Sequence, residues 1–246
     1  MMIGKLMFRK LCVAVVALTL SGALLADETG LRKAIESAYP KVNVGKITKT
    51  PYSGLYEVVV NGQIVYTDEK FNFLIVDGGL IDTKTKKDVT RERMDELSRI
   101  DFSKLPLEQA VKVVKGNGAR KIAVFSDPDC PYCKRLEQQE LTKINDVTIY
   151  TFLYPLEQLH PDATRKSKAI WCAPDRSKAW LDWVMKEQLP KSGGDCETPL
   201  QKVADLGRSL GVNSTPTIFL SNGRRIQGAY PAEELEKAMN EAARKN

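Results

Sequence analysis

The hydrophobic positions of this chain change their period several times, and each change marks an element. Residues 11–20, LCVAVVALTL, are continuously apolar; they follow Lys5, Arg9 and Lys10 and precede the small residues of Ser21-Gly22-Ala23-Leu24-Leu25-Ala26. That three-part order predicts a secretory signal over residues 1–26, cut after Ala26 or Ala23. Its apolar run falls short of the roughly 17–25 residues that span a bilayer. Over residues 28–39 the spacing changes, with Leu31, Ala34, Ile35 and Ala38 on one helical face. Alternating β-branched and aromatic runs follow at 42–48, 55–60, 64–67 and 71–76. Asn61-Gly62 separates two of them and Asp77-Gly78-Gly79 ends the last, which predicts hairpins and a small sheet with one helix across it.

Residues 88–100, DVTRERMDELSRI, are charged with Val89, Met94, Leu97 and Ile100 apolar, and read as a linker helix or as a surface helix of one continuous domain. A helix is expected over 106–115, then a break at Gly116-Asn117-Gly118 and a buried strand over 121–126. Asp127-Pro128-Asp129 turns the chain, and Cys130-Pro131-Tyr132-Cys133 opens a helix to about residue 145 in which Cys133, Leu136, Leu141 and Ile144 face inward. The rest predicts a strand over 147–153, helical sequence over about 157–210, a hairpin over 215–228 turning at Ser221-Asn222-Gly223, and a last helix carrying Leu235, Ala238, Met239 and Ala242 on one face.

With 246 residues, 43% hydrophobic and 28% charged, the chain holds one large or two modest domains; wholesale disorder and a single-core miniprotein are excluded. No repeat of solenoid length is present. Lys plus Arg exceeds Asp plus Glu by 37 to 31, and three of the basic groups lie in the first 26 residues, so the remainder carries only about +3. A balance that mild does not call for a nucleic-acid partner. The small N-terminal sheet buries too little to be comfortable alone, and dimerisation through it is expected.

Removal of the first 26 residues also removes Cys12 and leaves Cys130, Cys133, Cys172 and Cys196. An even number of cysteines suggests disulfides in an exported protein, and metal or transient redox chemistry in the cytosol. A cysteine where a strand passes into a helix meets unpaired backbone N–H groups and the positive dipole end, which favours its thiolate, the attacking species in exchange. Cys130 is therefore the expected nucleophile, and Cys133, three residues on, is placed to close the ring and expel product. Pro131 suits the first helical position but removes one donor. Zinc would need two further ligands, yet Cys172 and Cys196 are 24 residues apart and His160 is the single histidine. A redox pair is preferred to zinc and to a permanent structural disulfide, and neither metal nor cofactor is expected.

The segment FSDPDCPYCKRLEQQ, the later GVNSTPTIFLSNGRRIQGAY, the helical stretch with its own two cysteines and the small upstream sheet together resemble the periplasmic disulfide isomerase family of DsbC and DsbG, within the thioredoxin superfamily. The resemblance covers essentially the whole chain after residue 26. It implies a mixed α+β and α/β architecture with a cystatin-like dimerisation domain at 27–87, a linker helix at 88–104 and a thioredoxin-like catalytic domain at 105–246 carrying a helical insertion at about 157–210. It also implies a V-shaped homodimer in the periplasm, misoxidised or unfolded proteins as substrates, and a membrane reductase resembling DsbD. By resemblance Cys130 forms the mixed disulfide and Cys133 resolves it, Thr215-Pro216 is a cis-proline loop, and Cys172 and Cys196 form a structural disulfide. Thr215, Pro216, Pro131 and Tyr132 are the expected substrate contacts. Isomerisation is the preferred activity; reduction of sulfenic acids in the manner of DsbG, net oxidation, and a holdase role are the alternatives. Val124 stands where thioredoxins carry a buried Asp, so acid-base help must come from elsewhere or from water. His160 is expected at the surface, and Trp171, Trp180 and Trp183 in the core.

Overall fold

The computed structural model describes residues 20–191 and 195–244, with side chains from residue 28 onward. Most of the expected signal, residues 1–19, lies outside them. Among the described residues no helix is long and apolar enough to cross a membrane. The chain divides into two compact units between Leu97 and Ser98.

In the first unit, helix α1 (Leu20–Ala38) precedes an antiparallel sheet in the order β1 (Val44–Lys49), β2 (Tyr56–Val60), β3 (Gln63–Thr67), β4 (Leu74–Ile75). Leu31 and Ile35 of α1 pack with Val44, Ile47, Tyr56, Val58 and Val65, so the helical and alternating apolar positions meet in one core. Asn61 and Gly62 both hold positive φ, 51° and 79°, directly between the paired residues Val60 and Gln63. That backbone matches the strand twist and fixes the register. The expected strand over 71–76 shrinks to two residues. Phe71 and Asp77 on either side hold φ of 58° and 56°, and Phe73, Leu74, Ile75 and Val76 are left exposed at the sheet edge. Beyond it lie the short hairpin β5 (Ile81–Asp82) and β6 (Lys87–Asp88) and then α2 (Val89–Leu97). The helix expected as a linker is held to the N-terminal sheet: Arg93 Nε donates to Glu57 Oε1 at 3.0 Å, and the Tyr66 and Thr90 hydroxyls lie 2.6 Å apart.

The second unit is built on a five-stranded sheet. Its strands are β7 (Val111–Lys115), β8 (Arg120–Ser126), β9 (Val147–Leu153), β10 (Thr217–Leu220) and β11 (Arg225–Gln227), in the order β11-β10-β8-β9-β7. Only β8 and β9 run parallel. The helix expected over 106–115 is instead a 3₁₀ turn at Leu107–Gln109 followed by β7. Three valines in Val-Lys-Val-Val-Lys favour an extended edge, and pairing along β9 overrides the helical start signalled by Pro106. Central strand β8 has both faces covered. Ile122 and Val124 pack with Leu136, Leu141 and, from α7 (Ala232–Ala243), Leu235 and Met239. Ala123 and Phe125 face the other way, with Phe125 stacked on Phe152 at 4.9 Å between ring centroids.

After β9 come α4 (Ala163–Trp171), α5 (Arg176–Lys186) and α6 (Leu200–Ser209). Ile170, Trp171, Trp180, Trp183 and Val184 form a third cluster with Leu153. At the β10–β11 turn Gly223 has φ of 80°, and a Cβ there would meet the Ile100 carbonyl oxygen at 1.9 Å. No other residue type fits that approach.

Candidate active site

Strand β8 delivers the chain into a buried turn. Ser126 and Asp127 are 1% and 0% exposed, and the Cys130 N–H closes the turn on the Asp127 carbonyl at 3.2 Å. Cys130 is the N-cap of α3 (Pro131–Arg135), with Pro131 at its first position and Cys133 inside it. The expected single helix to residue 145 is interrupted: α3 has five residues, a π turn follows at Leu136–Glu140, and a 3₁₀ turn at Leu141–Lys143 ends the path. Two carboxylates in the π turn are buried. Glu137 Oε1 accepts the Trp180 indole N–H at 3.0 Å, and Glu140 Oε2 accepts the Ala232 N–H at 2.9 Å. Burial pushes Glu137 up to about 7.

The register of β10 on β8, with Thr217 opposite Phe125, brings the preceding residues beside this turn. The Thr215–Pro216 bond is cis, and the Cys130 thiol donates to the Thr215 carbonyl at 3.4 Å. Cys130 and Cys133 are free thiols, 5% and 0% exposed. Cys133 Sγ accepts the Asp127 N–H at 3.4 Å.

The two sulfurs have opposite ionisation. Cys130 is lowered to about 5, first by the hydrogen bond from the Cys133 thiol and, more weakly, by the Thr215 side chain and the backbone N–H groups of Cys133 and Tyr132, against the opposing effect of burial. Cys133 is pushed far up, chiefly by burial and then by the adjacent Cys130. Backbone amides contribute, as a cysteine at a strand-to-helix junction suggests, yet the neighbouring thiol contributes most. One thiolate and one buried thiol are what an attacking sulfur and a reserve sulfur require.

Of the residues singled out in the sequence, Cys130, Cys133 and Thr215 meet here, with Pro216 buried behind Thr215. Pro131 is exposed and Tyr132 is 60% exposed, a rim beside Cys130. Cys172, capping the end of α4, and Cys196, ahead of α6, are joined in a disulfide away from this pair, so their sulfurs are not ligands for a shared metal. His160 departs from expectation. Its Nδ1 lies 3.0 Å from Asp127 Oδ2, which is fully buried, and its side chain is 22% exposed. Trp183 is buried as expected but is also polar in use, its indole N–H donating to the Pro128 carbonyl at 2.7 Å. An aspartate two residues before another in a turn is a local signal for an Asx-type bond, and Asp127 Oδ1 does accept the Asp129 N–H at 2.7 Å. The longer-range partners leave no such signal.

A central strand ending in a Cys-x-x-Cys helix start, opposite a cis-proline turn and with one thiol ionised, defines a thiol–disulfide oxidoreductase on a thioredoxin-like fold. Comparison with known proteins agrees. Residues 107–243 match the thioredoxin-like domain family, and residues 22–91 match the N-terminal domain of disulfide bond isomerase proteins. The chain is 47% identical over 194 residues to the probable thiol:disulfide interchange protein DsbC of Bordetella parapertussis, covering 79% of this chain and 67% of the relative. It is 28% identical over 225 residues to thiol:disulfide interchange protein DsbC of Escherichia coli K12, covering 90% and 91%. A crystal structure of a disulfide interchange protein from Neisseria gonorrhoeae superposes with a TM-score of 0.54 at 48% identity, covering 56% of this chain and 98% of that one. The chain belongs to the DsbC family of thiol:disulfide interchange proteins.

Proposed function

We propose that this protein is a periplasmic disulfide isomerase in which Cys130 attacks and Cys133 resolves. The Cys130 thiolate attacks one sulfur of a wrong substrate disulfide; the Cys130–substrate bond forms as the substrate bond breaks, and the second substrate sulfur leaves as a thiolate. That thiolate either attacks another substrate disulfide, and the substrate thiolate displaced there attacks the substrate sulfur of the mixed disulfide to form the new bond and release Cys130 as a thiolate, or waits while Cys133 attacks the mixed disulfide. In the second case Cys133 gives up its proton, the Cys130–Cys133 disulfide forms and the substrate departs reduced by two electrons. A protein thiol donor at the membrane, resembling DsbD, would then restore the dithiol.

The observation that carries this reading is geometric: Cys130 caps the start of α3 with its Sγ 3.4 Å from the Thr215 carbonyl, and Cys133, fully buried three residues on, stands behind it, an arrangement that lowers the first thiol and raises the second. Thr215, Pro131 and Tyr132 supply the surface for an extended substrate segment, while Pro216, expected as a further contact, is buried behind Thr215. Reactivation of scrambled ribonuclease by the whole protein tests it. Activity well above a glutathione buffer, lost in Cys130→Ala, is expected; activity equal to the buffer overturns it.

The exposed run 73–76 beside β4 offers an unpaired sheet edge, and a second copy is its proposed partner. Sedimentation of the whole chain at micromolar concentration is expected to show a dimer, and a monomer would remove that assignment.

A further inference from the structure

The three residues leading into Cys130 are each anchored by a different part of the helical segment after β9, and the exchange chemistry above uses none of these contacts. Asp127 Oδ2 accepts the Leu156 N–H at 2.7 Å and lies 3.0 Å from His160 Nδ1, both in the β9–α4 connection. Pro128 offers its carbonyl to Trp183 of α5 at 2.7 Å. Asp129 Oδ1 pairs with Lys166 Nζ of α4 at 2.6 Å, each side chain only 17% exposed. The Trp183 ring has Lys166 Nζ 4.8 Å and Lys134 Nζ 4.9 Å from its centroid, so one indole steadies a cation of α4 and a cation of the redox helix itself.

We propose that Lys166 is a positioning residue for the nucleophile: it neutralises the carboxylate immediately before Cys130 and, with Trp183, holds the turn that presents both sulfurs. The proposal rests on the reading above only in taking Cys130 as the attacking sulfur. Asp129 is one residue from a sulfur that must carry negative charge. Unpaired, its carboxylate disfavours the thiolate by like-charge repulsion, and in a largely buried site that repulsion is poorly screened. The other charges around Lys166 are Asp162, 3.3 Å away, Lys134 across the indole ring, and Glu187, which pairs with Lys134 at 2.6 Å. Burial opposes the charge of Lys166, but its bonds to Asp129 and Asp162 prevail and hold its pKa above the ordinary value. It therefore stays cationic wherever Cys130 titrates.

The test measures the Cys130 thiolate by ultraviolet absorbance and iodoacetamide alkylation, and the reduction potential of the pair, in whole-length variants. In Lys166→Met, ionisation of Cys130 is expected to move up, alkylation near pH 5 to slow by about threefold to tenfold, and the potential to become more negative. Lys166→Arg should restore the native values. Adding Asp129→Asn to Lys166→Met should also restore them, because the offending charge is then gone. Each variant is checked by near-ultraviolet circular dichroism and thermal melting. Native ionisation and potential in a folded Lys166→Met protein, or no recovery in the double variant, would overturn the proposal. Loss of isomerase activity in the unmodified protein would instead remove the functional reading and leave these thiol measurements standing.

Discussion

A Cys133→Ala protein is expected to ionise Cys130 at higher pH than the native protein and to accumulate covalent substrate adducts. Both effects follow from one contact. The Cys133 thiol is the leading cause of the low value at Cys130, so its removal takes away the main donor to the thiolate and leaves the weaker N–H contributions. It also removes the sulfur that would break a mixed disulfide. Alkylation against pH, read by mass spectrometry, reports the first effect; adducts on non-reducing gels report the second. A midpoint still near 5 would transfer the cause to the backbone amides, and rapid adduct turnover would end the resolving role of Cys133.

The gain from ionisation lies less in attack than in departure. At pH 7 an ordinary thiol is only a few per cent thiolate, whereas one at about 5 is almost wholly ionised. Nucleophilicity falls with basicity, at a Brønsted coefficient of roughly 0.4–0.5, and offsets most of that gain. A low-pKa sulfur leaves a mixed disulfide quickly, which favours repeated rearrangement. The same thiolate stabilises the dithiol form. Its folded value lies below the unfolded one, so this contribution is complete above about pH 9, partial at neutrality and lost as the pH falls through about 5. The melting temperature of the dithiol protein should fall over this interval by more than that of the disulfide form, which lacks this thiolate.

Replacing both Cys172 and Cys196 by alanine is expected to destabilise the second unit by about 3–4 kcal/mol and to lower its melting temperature by about 10 °C, from chain-entropy arithmetic for the closed loop. The bond spans 24 residues and ties the end of α4 to the chain ahead of α6, beside the cluster that holds Trp171, Trp180 and Trp183. Calorimetry of the whole protein, compared with the double variant, measures it. A loss below about 1 kcal/mol would mean that helix packing alone constrains this loop in both states.

The elements that were legible in the sequence are those whose signals are local. Asn61-Gly62 between alternating runs marks its hairpin, and Asp-Pro-Asp followed by Cys-Pro-Tyr-Cys marks a strand giving way to a helix. The helix expected over 106–115 does not form because its proline start signal outweighs, in sequence alone, a short valine-rich edge whose pairing with β9 becomes visible only in three dimensions. The run at 71–76 has the composition of a strand, but left-handed residues at its ends limit what it can pair. The anchors of the active-site turn were invisible for a different reason. His160, Lys166 and Trp183 lie 33, 37 and 55 residues from the groups they hold, and neither period nor spacing links them to Asp127, Asp129 and Pro128.

The strand that leads to Cys130 has a neighbour that arrives late. β8 pairs with β10, 85 residues separate Cys130 from Thr215, and the π turn after α3 completes its bonding only with the N–H of Ala232. During synthesis from the N-terminus, Cys130 therefore emerges together with its main donor, Cys133, but ahead of Thr215 and of the β10 strand that closes the other side of the site. The two sulfurs are thus made early and the wall that faces them late, so the site is completed only when the C-terminal strands pair.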